Sequence, residues 1–205
     1  MRERSSSTAG QRGWSFYIIG AGLPNLPTTL SEARTYAERL FTYRTIGPLA
    51  DADAQYALTR PAKEMGAEFS QEALTVLLDA SGRYPYFIQE FGKAIWDAAP
   101  STPFNEEDAE VAVSIGRSQL DAGFFSSRWG RATRRERGYL GAMADDGDAG
   151  SSTSTIAERL GVRVTALGPA RAQLIDKGII YSPAYGHVAF TVPGMSAFIL
   201  RQQDD

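Results

Sequence analysis

The chain has 205 residues, 43% hydrophobic and 22% charged, the balance of a globular protein and enough for one large domain or two small ones. It contains no cysteine and one histidine. That excludes a disulfide framework, a thiol enzyme and a structural zinc site, leaves carboxylates as the main candidate metal ligands, and fits a reducing, cytoplasmic setting. The formal net charge of −3 is unevenly spread: residues 31–110 hold seven Lys/Arg against fourteen Asp/Glu, and residues 128–205 hold ten against eight. Either two modules face different partners, the basic one suited to nucleic acid, or this is ordinary surface variation.

Residues 1–13 are rich in Ser, Gly and Arg without apolar periodicity and read as a disordered tail. The apolar run Trp14–Leu23 is about ten residues, half of what a bilayer span needs, and no small-residue cleavage site follows it, so neither a membrane segment nor a secretory signal is expected. Its aromatic and β-branched content, ended by Gly20-Ala-Gly-Leu-Pro, predicts a buried strand leaving into a loop. Ser31 is expected to cap an amphipathic helix that Ile46-Gly-Pro-Leu breaks. Asp51 or Asp53 then caps a helix through Met65, Ser70 one through Ala80, and Pro85 opens one toward Trp96. Asn105 caps a fifth, with Glu106, Glu107 and Asp108 in its first turn, where the helix dipole favours them; consecutive carboxylates on a helix diverge too far to share one metal ion. Leu74, Leu77, Leu78, Phe87, Ile88, Phe91, Ile95 and Trp96 form the predicted core stripe of this helical module.

From Arg128 the pattern changes. Thr133 caps a helix with Tyr139, Leu140 and Met143 inward, an acidic Gly-rich loop spans 145–152, and a short helix from Thr155 ends at Gly161. After the turn Gly161-Val-Arg-Val, a longer helix is expected over Thr165–Lys177, with Ala157, Leu160 and Val162 as packing residues. This is a helix-turn-helix arrangement, and Pro169 requires its second helix to begin near it. The stretches 178–183 and 188–193 flank Ala184-Tyr-Gly-His as a β-hairpin, or wing. Its His187 is a poor general base, lacking a visible orienting partner, and better suited to solvent or a phosphate.

Four stretches carry a family resemblance: IIGAGLPNLP, YAERLFTYRTIGPLADADAQYAL, DASGRYPYFIQEFGKAIWDAA and LIDKGIIYSPAYGHVAFTVP. Over residues 14–201 the chain resembles the C-terminal half of bacterial AAA+ ATPases related to origin-recognition proteins and to the signal-transduction ATPases with numerous domains. The resemblance implies a mainly α chain made of a remnant strand and helix of a P-loop α/β domain (14–50), a helical lid (51–127) and a winged helix-turn-helix (128–205). The strand would end at the sensor-1 loop, where Asn25 stands near Gly20-Ala-Gly. Arg83-Tyr84-Pro85 would replace the lid's Gly-x-Pro motif, Tyr84 and Pro85 covering the adenine and Arg83 either reaching a phosphate or lying solvated at a helix start. ATP is the cofactor of the full-length family. This chain has no G-x-x-x-x-G-K-S/T loop and no strand ending in Asp-Asp or Asp-Glu, so by itself it is expected to bind no cofactor and to be no enzyme.

Two partner classes follow. The winged helix reads as a DNA binder through Arg163, Thr165, Arg171, Lys177 and His187, with Arg134 and Arg135 in a basic patch that otherwise neutralises the acidic lid. Alternatively it is a protein-interaction module, or the chain lends its lid to a separate P-loop ATPase subunit. An unpaired edge on the Ser15–Ile19 strand would favour a homo-oligomer.

Overall fold

A proline at a helix start gives up an N–H that would have no partner there, and Pro27 stands in the first turn of α1 (Leu26–Ala33). The computed structural model describes residues 18–24, 26–33 and 40–203. They belong to two units, Met1–Phe41 and Thr42–Asp205. In the first unit Ser31 lies inside α1 and does not cap a helix, because Pro27 sets the start several residues earlier. Ile18–Leu23 form no strand: none of the described residues offers them a ladder, and Ile18 and Ile19 are exposed. The rest of the expected strand, Trp14–Tyr17, and the sensor-1 candidate Asn25 lie outside the described residues, so the edge-paired oligomer keeps no support from the described part.

The second unit opens with α2 (Asp51–Glu64), α3 (Gln71–Ser81), α4 (Pro85–Ala98) and α5 (Glu106–Gln119). Ala50, which has no capping side chain, is the N-cap of α2, and Asp51 and Asp53 sit in its first turn instead. Ser70 caps α3 by accepting from the Ala73 N–H at 3.1 Å. Asn105 and Asp108 exchange 3.0 Å bonds in a capping box at the start of α5. The predicted stripe is buried except for Trp96, which is 43% exposed at the end of α4. A parallel bridge between Phe69 and Phe104 ties the loops before α3 and α5 together.

Next come a π-helical turn (Leu120–Phe125) and the short α6 (Ser126–Gly130). Thr133 and Glu136 form a second capping box at α7 (Arg134–Ala144). The loop expected at 145–152 holds a 3₁₀ turn (Gly147–Ala149) and the strand β1 (Ser151–Ser152). Because Ser152 supplies the cap, α8 runs Thr153–Arg159, starting ahead of Thr155. The long helix expected from Thr165 is divided into a 3₁₀ turn (Val164–Leu167) and α9 (Gly168–Asp176), with Pro169 in the first turn of α9. Strands β2 (Ile180–Tyr181) and β3 (His187–Phe190) complete an antiparallel sheet of order β1-β3-β2, and α10 (Met195–Gln203) closes the unit. Ser151 pairs with Val188, and Ile180 with Phe190.

Helix, short strand, helix, helix and hairpin in this order make a winged helix following a helical module. Tyr139, Leu140, Met143, Ile156, Leu174, Ile179, Val188 and Phe198 fill its core. Leu160 and Val162 do not: they flank Gly161, whose φ of 63° turns the chain outward, and are 37% and 43% exposed. The expected boundary between residues 127 and 128 falls inside α6, and the apolar core runs across it. Phe125 stacks on Phe198 at 5.5 Å, and Trp129 meets the same ring edge-on at 6.5 Å.

Candidate nucleic-acid interface

Charges inside the winged helix are sorted by pairing. Glu136, 1% exposed, accepts from the Lys177 Nζ at 2.6 and 2.8 Å and from the Thr133 N–H, joining the start of α7 to the end of α9. Burial pushes its carboxyl up, but the bonds from Lys177 and Thr133 together prevail and hold it below its ordinary value. Asp146 takes a bidentate grip from Arg159 at 2.5 and 2.8 Å, which depresses its pKa with help from Ser151. Asp148 accepts from the Gly194 N–H and the Ser196 hydroxyl at the head of α10, and Asp121 pairs with Arg201.

Of the arginines from residue 128 onward, only Arg159 and Arg201 pair with a carboxylate among the described residues; Arg128 and Arg137 lie on the Phe124 and Trp129 rings, which leaves Arg131, Arg134, Arg135, Arg163 and Arg171. The fold gathers them partly. Arg135 donates to the Ala166 carbonyl at 2.8 Å, placing it beside Arg163 and Thr165 at the exposed 3₁₀ turn before α9. Arg171 donates to the Ser182 hydroxyl at 2.8 Å, and that hydroxyl bonds the Ala184 and His187 carbonyls, so Arg171 stands at the base of the wing with His187 exposed beyond it. Arg134 is exposed at the first turn of α7. Lys177 is turned away from this group, to Glu136. Two exposed carboxylates, Glu158 and Asp176, stand on α8 and α9 and form no close ion pair among the described residues.

Charge alone could not have revealed this selection, because pairs such as Glu136–Lys177 are 41 residues apart. Tyr185, in the wing, is fully exposed.

The lid candidates are engaged within the helical module. Arg83 has a left-handed backbone (φ 58°), ends α3 beside Gly82, accepts from the Leu49 N–H through its carbonyl, and pairs its guanidinium with Asp51. Tyr84 is the N-cap of α4 and is half-buried against Phe87 at 4.9 Å, with Pro85 following in the first turn. Nearby, Arg128 lies 3.8 Å from the Phe124 ring centre and donates to the Phe124 carbonyl; burial and then Arg131 push its guanidinium pKa down. Among the described residues no group of His, Asp and Glu is placed to hold a metal ion, and no helix is long and apolar enough to cross a membrane.

Residues 122–199, the winged helix with its π-turn approach, match a family described as a domain of unknown function, DUF8462. No curated protein matches the chain. Among solved structures, the Thermotoga maritima RuvB Holliday junction branch migration motor is similar at 15% identity and a TM-score of 0.35, covering 70% of this chain and 47% of that one. Two of its mutant forms match at the same values. The chain spans about half the length of these structures.

Proposed function

We propose that the chain is a non-catalytic regulatory module that binds duplex DNA through its winged helix, as the C-terminal portion of an ATP-binding protein of the AAA+ kind. The observation that carries this reading is the selective pairing of charge. Internal carboxylates take up Lys177, Arg159 and Arg201, while Arg163, Thr165, Arg135 and Arg171 are left around the 3₁₀ turn and the base of the wing. The 3₁₀ turn and the first turn of α9 would enter the major groove. There Arg163 can grip a guanine edge or a phosphate, with Arg134, Arg171 and His187 on the flanking backbone. The order of helical module then winged helix supports the AAA+ part of the reading; ATP belongs to the larger protein.

Fluorescence anisotropy with labelled duplex across a salt series tests it. Wild-type affinity is expected to fall steeply with salt, and each phosphate-binding arginine removed, as in Arg134→Ala or Arg171→Ala, to flatten the log–log slope by about 1. No binding at low salt would overturn the DNA reading.

A protein-interaction reading has its own observation. Between α2 and α4 lies an open groove of about 350 Å³ lined by Leu58, Pro61, Met65, Phe69, Lys93 and Trp96, with Met65 and Trp96 exposed. The same titration with Trp96→Ala separates the two readings: an unchanged DNA affinity leaves the groove to another partner.

A further inference from the structure

The tip of the wing is built to hold one aromatic ring outward. Its summit is Tyr185, whose side chain is as exposed as in an isolated residue (103%), between the small residues Ala184 and Gly186. Hairpin tips are ordinarily Gly, Asn, Asp or Ser, and a large ring placed there gains no burial within the fold. The backbone carrying it is nevertheless clamped. The Thr153 N–H and hydroxyl both donate to the Gly186 carbonyl, at 2.8 and 3.0 Å. The Ser182 hydroxyl bonds the Ala184 and His187 carbonyls, and the His187 N–H donates to the Ala184 carbonyl at 3.1 Å. Gly186 takes the left-handed φ of 74° that this tight turn needs. Through Ser182 the tip is joined to Arg171 of α9, and through Thr153 to the start of α8.

We propose that Tyr185 is a stacking platform for an unpaired base, and that the chain therefore prefers duplex DNA carrying a single-stranded end over an uninterrupted duplex. The proposal rests on the winged helix binding duplex as read above. Within a continuous helix each base face is covered by its neighbours and only edges are open, which a phenol ring reads poorly. At a single-strand boundary a whole face is available, and ring-on-base stacking there is tolerant of sequence. The clamp matters because a ring on an already ordered turn loses little conformational freedom on binding. With Arg171 at the base of the wing and His187 beside its tip, the backbone of the same strand meets positive charge and hydrogen-bond donors while its terminal base meets the ring.

The test compares a blunt DNA hairpin with the same hairpin carrying a short thymine tail, both titrated with the full chain. The tailed form is expected to bind about tenfold tighter. Tyr185→Ala should abolish that difference while leaving blunt-end affinity within about twofold, and Tyr185→Phe should keep it, since the ring and not the hydroxyl is required. Replacing the first tail base by 2-aminopurine should give fluorescence quenching with wild type and with Tyr185→Phe, and none with Tyr185→Ala. Equal affinity for both hairpins, or equal weakening of both by Tyr185→Ala, overturns the stacking role while the duplex reading stands. No binding of either hairpin overturns both.

Discussion

Glu136 and Lys177 illustrate how a side chain that looks like a DNA contact can be taken up by the fold. Lys177→Met leaves a buried carboxylate without its cation and is expected to destabilise by about 3 kcal/mol, the lower end for such breaks because Lys177 itself still reaches solvent. Urea denaturation measures it. The Glu136 and Asp146 carboxyls are both held below their ordinary values, the latter chiefly by Arg159. Both therefore bind protons more weakly folded than unfolded, and their contribution is complete above the unfolded values and lost as pH falls through the folded ones. Stability is expected to be level above about pH 5 and to decline below about pH 4. Tyr139 is the opposite case. Its hydroxyl is buried with no hydrogen-bond partner among the described residues, and burial pushes its pKa up. Tyr139→Phe removes an unsatisfied group, so the thermal midpoint should stay level or rise, by the equivalent of up to about 1 kcal/mol.

At the scale of elements, the termini carry much of the definition. Asn105→Ala breaks the capping box of α5 and should cost about 1 kcal/mol by thermal melting. Gly116, in the last turn of α5, lies against Phe91 so closely that a Cβ would overlap its ring. Gly116→Ala is thus expected to destabilise by about 1–3 kcal/mol, although alanine is the better helix former. Such termini were legible in the sequence: Ser70, Asn105, Thr133 and Pro85 mark helix starts because each has a local job, accepting an orphan N–H or lacking one. The winged helix was legible too, since its glycines and prolines space the elements. What could not be seen depends on partners far along the chain. Trp96 leaves the core to line the open groove between α2 and α4, and the interface arginines are defined by which acids are already taken. At α1, Pro27 outweighed the capping signal of Ser31.

For the whole second unit, the helical module and the winged helix share one apolar core through Phe125, Trp129 and Phe198. A fragment starting at residue 132 loses both rings over Phe198, whereas one starting at residue 122 keeps them. The shorter fragment is expected to be less stable by about 3–5 kcal/mol, the scale of emptying an aromatic site, as chemical denaturation of the two would show. That the family match begins at residue 122 agrees with this join.

The π-helical turn at Leu120–Phe125 makes the relation between the two halves a matter of count as well as composition. A wider turn takes in an extra residue, and each residue advances a helix by about 100°. α6 therefore leaves α5 out of phase with a simple continuation, and that phase is what brings Trp129 onto Phe198. Gly123, at the middle of the turn, has open space where a Cβ would stand, so Gly123→Ala should be silent. Deleting Gly123 should instead rewind the turn as ordinary α-helix, swing Trp129 about a quarter-turn off its seat on Phe198, and uncouple the melting of the winged helix from that of the helices before it.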